Sequence, residues 1–131
     1  GLPENALAGG VDSDGSTLYV ARALNNKIWQ AAKTQATWTT ANVGFKNQEL
    51  VLENFEYLLD DGNFSWQPYK GTLPKNAVWT DKEAGVKLGI CRCKHVESTQ
   101  IGRINKGNCS IGYGGSEFNY PTFDVLTYSK K

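Results

Sequence analysis

The chain has 131 residues, enough for one compact core and too few for two independent domains. Lys and Arg number 14 and Asp and Glu 13, a net charge of +1, so there is no basic excess to mark a nucleic-acid face. No apolar run approaches the ~20 residues of a membrane-spanning helix, and membrane insertion is not expected. In chain order, Asp12-Ser13-Asp14-Gly15 comes first as a tight hairpin turn. It resembles the opening of a calcium loop, but the twelfth position from Asp12 is Ala23 where a bidentate glutamate belongs. Thr17 to Ala23 alternates apolar and polar residues and is rich in strand formers. Asn26 to Ala36 tempts toward helix, and Phe55 to Leu59 reads as a closing strand. Residues 60–70 carry Trp66, Pro68 and Tyr69, a docked aromatic connection rather than a flexible tether. Lys87 to Cys93 and Phe123 to Tyr128 again read as strands, with a Gly112-Tyr113-Gly114-Gly115 turn between them.

The strand segments recur because the sequence is internally duplicated. Leu2-Pro3-Glu4-Asn5-Ala6-Leu7 aligns with Leu73-Pro74-Lys75-Asn76-Ala77-Val78, and Gly15, Leu18 and Arg22 align with Gly85, Leu88 and Arg92. Gly44, Phe45 and Glu49 align with Gly112, Tyr113 and Glu117, and Phe55-Glu56-Tyr57-Leu58 with Phe123-Asp124-Val125-Leu126. The repeat exceeds the roughly 20–50 residues of stacked solenoids, so two halves packed into one body are expected. The partner of the helix-like segment, Val96 to Lys106, is β-branched with a central glycine, so both copies are read as strand or extended. The expected fold is all-β, two tandem homologous repeats forming one pseudo-two-fold-symmetric antiparallel sheet domain. Residues 1–59 form the first repeat, 60–70 the aromatic linker strand and 71–131 the second. Leu18, Val20, Phe55, Leu58, Leu88, Ile90, Phe123 and Leu126 are the expected core.

Catalytic and metal chemistry find few candidates. Cys91, Cys93 and Cys109 stand where the first half has Ala21, Ala23 and Ala41, which points to small buried positions and free thiols. Cys-x-Cys-x-His, ending in His95, lacks zinc spacing, so no metal site and no cofactor are expected. His95 is the single histidine, no Gly-x-Ser-x-Gly elbow occurs, and an enzyme is not expected. Arg22 and Arg92 are read as structural, paired to acids such as Glu49 or Glu117. The remaining chemistry lies in Asp12 and Lys33. Their counterparts are Glu83 and Arg103, so acid and base are both kept across the duplication. A carboxylate accepting from two hydroxyls beside an ammonium donating to their oxygens suits a sugar. The same residues also fit a surface ion pair worth ~0–1 kcal/mol.

The ordered set Leu-Pro-x-Asn-Ala-(Leu/Val), Gly-Gly-x-Asp-x-Asp-Gly, Leu-Tyr-Val-x-Arg-Ala, a later Lys, Gly-(Phe/Tyr)-x-x-x-Glu and Phe-Glu-x-Leu resembles the DM-nine repeat family over nearly the whole chain. Short two-repeat members are invertebrate lectins that prefer mannose, and natterins carry the module fused to a pore-forming domain. The resemblance implies a calcium-independent, mannose-binding lectin recognising microbial or self glycans. A non-lectin protein-interaction module is the alternative. The resemblance assigns the sugar to Asp12, behind Gly9-Gly10, and to Lys33, with Glu83 and Arg103 as a second, altered site. Thr80-Asp81 replaces the glycine pair there, and Ala31-Ala32 precedes Lys33 where Pro-Gly is common. Trp29 is an aromatic platform for a sugar's C–H face or a core residue. Nothing matches the opening Trp66 strand before the first repeat, and a homodimer covering that edge is expected. The chain begins at Gly1 with no visible signal peptide, and its compartment is left open.

Overall fold

The computed structural model describes residues 1–130. Among them the chain is all-β, with thirteen strands in chain order. The first half holds β1 (Ala8–Val11), β2 (Thr17–Asn25), β3 (Ile28–Thr34), β4 (Ala41–Phe45), β5 (Gln48–Leu52) and β6 (Phe55–Tyr57). After β7 (Phe64–Pro68) come β8 (Trp79–Glu83), β9 (Val86–His95), β10 (Ser98–Asn105), β11 (Asn108–Tyr113), β12 (Ser116–Tyr120) and β13 (Asp124–Tyr128). Every pairing in the first half has a counterpart in the second. The pairs β1–β2, β2–β3, β3–β4, β4–β5 and β2–β6 recur as β8–β9, β9–β10, β10–β11, β11–β12 and β9–β13. β5 and β12 join the halves at Gln48 opposite Ser116. β1 also pairs β10, Val11 opposite Thr99, which closes a barrel-like circuit through β2, β3, β4, β5, β12, β11 and β10.

The segment with a helical look is strand β3. It lies between β2 and β4, and Gln30 to Thr34 are all buried, so both of its faces are covered and its period is hidden. Hairpin chemistry fixes the register of β2 on β3 and of β4 on β5. Asn26 and Lys27, and likewise Lys46 and Asn47, have positive φ (50° and 69° in each pair), the geometry of a two-residue turn matched to strand twist.

The two halves differ at the glycine pair. A Cβ on Gly10 would lie 2.3 Å from the Thr99 carbonyl oxygen, so only glycine lets β1 come close enough to pair β10. Thr80 and Asp81 occupy the equivalent places on β8. There Trp29 N–H donates to Asp81 Oδ2 at 2.9 Å and Thr80 Oγ1 donates to the Trp29 carbonyl at 2.8 Å. Side-chain bonds stand in for a strand pairing, and β8 is held off β3.

Leu18, Val20, Leu88, Ile90, Phe123 and Leu126 are buried, together with Ile101 and Ile111. Phe55 and Leu58 are only half-buried. The cause is coverage: β13 has β9 on one side and β7 on the other, whereas β6 pairs β2 alone. Two expectations are corrected. Cys91 and Cys109 form a disulfide with Cα atoms 5.8 Å apart, and Cys93 alone is a buried thiol. A flat sheet would hold β9 and β11 about 9–10 Å apart across β10. The barrel curls them together around Gly102, which lies opposite Cys91. Arg22 and Arg92 pair with Glu56 and Asp124 of the neighbouring closing strands, not with Glu49 or Glu117.

Candidate functional site

Asp12 follows β1 at the start of the first hairpin turn and is half-buried. Its Oδ2 accepts from Gln35 Nε2 at 2.9 Å, and its Oδ1 from Gln100 Nε2 at 3.1 Å and Ser13 N–H at 3.0 Å. Gln100 turns its other end to Lys33, whose Nζ donates to Oε1 at 2.6 Å. One glutamine amide therefore joins the acid to the base. Lys33 Nζ also donates to the Gly112 carbonyl at 2.5 Å and lies 3.4 Å from Glu49 Oε2. The three acceptors match the three protons of an ammonium. Lys33 is 2% exposed, so it is an interior group and not the surface grip expected from the sequence. Burial pulls its pKa below the ordinary lysine value, opposed by Glu49 and then Asp12.

Beside the acid stands an aromatic wall. Tyr113 donates its hydroxyl to Ser13 Oγ at 2.7 Å, and its ring lies 5.6 Å from Lys33 Nζ. The His95 ring packs 4.6 Å from the rings of both Tyr113 and Phe118, and His95 Nδ1 bonds the Tyr120 hydroxyl. Phe118 keeps 38% of its surface exposed. Burial and the Lys33 charge push the His95 pKa below its usual value, which leaves a neutral imidazole at pH 7. The accessible chemistry is a fixed carboxylate with one spare lone pair, on Oδ2, next to hydroxyls and a ring face.

The second copy is built differently. Arg103 mirrors Lys33: its Nε donates to the Gly44 carbonyl at 2.8 Å, its Nη2 lies 3.3 Å from Glu117 Oε2, and it sits 4.8 Å from the Phe45 ring. Glu83, however, is exposed at the end of β8, and no described residue hydrogen-bonds its carboxylate. Gln30, the counterpart of Gln100, is buried with its Oε1 unpartnered. With β8 held off by Thr80 and Asp81, the acid is not brought to the glutamine. Trp29 lies against β8, its ring 4.5 Å from the Arg22 guanidinium, and not beside Asp12.

The DM9 repeat model matches residues 12–120. The chain belongs to the DM9 repeat family. A solved structure, the crystal structure of the nematode sperm cell motility protein MFP2B, superposes with a TM-score of 0.68 at 14% identity. The match covers 98% of this chain and 42% of that one, so this chain spans less than half of MFP2B, and the likeness is one of fold. No curated protein sequence matches.

Sequence reasoning missed Gln100, Gln35 and Tyr113 in this DM9 site, and it assigned Glu49 to the wrong base. A signal for Gln100 was present. Gln30 and Gln100 are identical three places before the base in each DM9 repeat, as Glu49 and Glu117 are identical after it. The site is also composite: Asp12, Lys33, Gln35 and Glu49 come from the first repeat, Gln100, Gly112 and Tyr113 from the second.

Proposed function

We propose that this DM9 protein is a calcium-independent carbohydrate-binding protein with mannose as its preferred monosaccharide, and that it is a binder rather than an enzyme. The observation that supports this reading is the Asp12 carboxylate, held at the surface by Gln35 and Gln100 with the Lys33 ammonium behind it. One sugar hydroxyl donates to the remaining lone pair of Asp12 Oδ2, and the sugar's C–H face rests on Tyr113 or Phe118. Lys33 acts as a positioning residue: its charge offsets that of Asp12, and it fixes Gln100 without itself reaching the sugar. The ammonium thereby fills the compensating role that calcium plays in metal-dependent sugar sites. One shallow site of this kind binds a monosaccharide at about mM. Several sites on one glycan surface, through a dimer or a clustered ligand, supply useful avidity.

The test is titration with mannose, with and without EDTA, on the wild type and Asp12→Ala. Binding that survives EDTA and disappears in Asp12→Ala is expected. Binding abolished by EDTA overturns the metal-free reading, and full binding by Asp12→Ala places the sugar elsewhere.

A further inference from the structure

A groove of about 760 Å³ runs along β1 and the start of β13, and its lining does not include Asp12, Lys33 or Gln100. Its counterpart in the first repeat is a cavity of about 240 Å³ lined in part by Arg22, Glu56, Trp79 and Thr80. Substitutions between the repeats account for the difference. Trp79, Thr80 and Asp81 correspond to Ala8, Gly9 and Gly10, and Trp29 corresponds to Thr99. Bulk that narrows one cavity is missing from the other.

The charged groups differ in the same sense. In the smaller cavity each guanidinium nitrogen of Arg22 has a partner: Nε and Nη2 meet Glu56, and Nη1 donates to the Thr80 carbonyl at 3.5 Å. In the groove Asp124 is shorter by a methylene and meets Arg92 only at Nε, 3.2 Å away. Both Nη nitrogens of Arg92 lack a hydrogen-bond partner among the described residues. The guanidinium is held in place from its face, 4.7 Å from the Trp66 ring. Lys94 lies two residues further along β9 and lines the same groove, exposed. Two cations thus face one carboxylate. Tyr69, stacked 4.5 Å on Phe123, supplies an apolar wall.

We propose that this groove is a second ligand site that takes an acidic saccharide. A uronate carboxylate accepts from the two free Nη groups of Arg92 and from Lys94, and the sugar ring lies on Tyr69. A planar guanidinium with two parallel donors fits a carboxylate bidentately. The choice of a saccharide rests on the carbohydrate reading above, whereas the preference for an anion rests on the groove alone.

The experiment is titration of the full chain with oligogalacturonate and with the same oligomer after reduction of its carboxyls. The acidic oligomer is expected to bind at least tenfold tighter, and progressively more weakly as salt is added. Arg92→Gln should lose at least tenfold. Lys94→Gln, an exposed change that leaves the fold alone, should lose several-fold. Asp124→Asn should bind as well as wild type or better, because a competing carboxylate is gone. Asp12→Ala should bind unchanged. Equal binding of the reduced oligomer overturns the proposal. So does an equal loss in Arg92→Gln and Asp124→Asn, which would mark only a structural pair. Displacement by mannose, or loss in Asp12→Ala, assigns the uronate to the first site and overturns it too. Mannose binding without uronate binding defeats the groove alone. Uronate binding without mannose binding defeats the Asp12 site alone.

Discussion

Lys33→Met removes the buried ammonium while keeping a chain of similar length. The change leaves Gln100 Oε1 and the Gly112 carbonyl without a donor and leaves Glu49, whose side chain is 11% exposed, without its counter-charge. At the observed 3.4 Å the Coulomb attraction between Lys33 and Glu49 is about 5 kcal/mol at an effective dielectric of ~20. Desolvation of both ions offsets most of that in the intact pair. Removing one partner is different, because the other remains buried and unpaired, at a cost of about 3–5 kcal/mol. Against a total stability of ~5–15 kcal/mol this is a large fraction. Equilibrium urea unfolding should show the midpoint falling with little change in slope. Lys33→Met with Glu49→Gln should recover part of the loss, since the stranded charge is gone, while the single amide oxygen keeps only one of the two contacts, to Asn42 Nδ2 (3.3 Å) or Gly115 N–H (3.1 Å). A single variant within ~0.5 kcal/mol of wild type would refute the reasoning. So would a double variant less stable than the single one.

Two other outcomes are expected. Thiol titration in urea without reductant should find one reactive cysteine per chain, Cys93, and after reduction all three. Burial pushes the Cys93 thiol up to about 12, so the native protein should react negligibly at pH 8. Three thiols without reductant would remove the Cys91–Cys109 bond. That bond closes a separation of 18 residues, and its reduction should cost about 3 kcal/mol. The second outcome concerns His95, whose pKa is depressed below 6.5 by burial and by Lys33. The unfolded chain then takes up the proton before the native one, so stability falls as pH drops below 6.5. In His95→Asn, which installs the first-repeat residue, that part of the pH dependence should vanish in urea melts at pH 7 and pH 5. An unchanged slope would show that other groups carry it.

The strands were legible because alternation in one copy was checked by the other. Asn26 to Ala36 looks helical alone, and Val96 to Lys106 removes that reading. Asp12 and Lys33 were legible as a retained acid and base. What alternation along one strand cannot reveal is which side chain crosses to the other half. Lys33 finds Gln100 and Gly112 at sequence separations of 67 and 79. Glu49 and Glu117 were visible as retained acids, but two kinds of retained base competed for them. Only the register of β6 on β2 and of β13 on β9 gives Arg22 and Arg92 their own partners. The disulfide was hidden for a related reason: its cysteines lie on strands separated by a third, and barrel curvature has no local sequence mark.

Lys33 seats on the Gly112 carbonyl and Arg103 on that of Gly44, so each half completes the interior of the other. A single copy, cut free, would carry a cation with no socket and a socket with no cation. A substitution at the cation or at the carbonyl-bearing strand of one copy is therefore answerable to its twin.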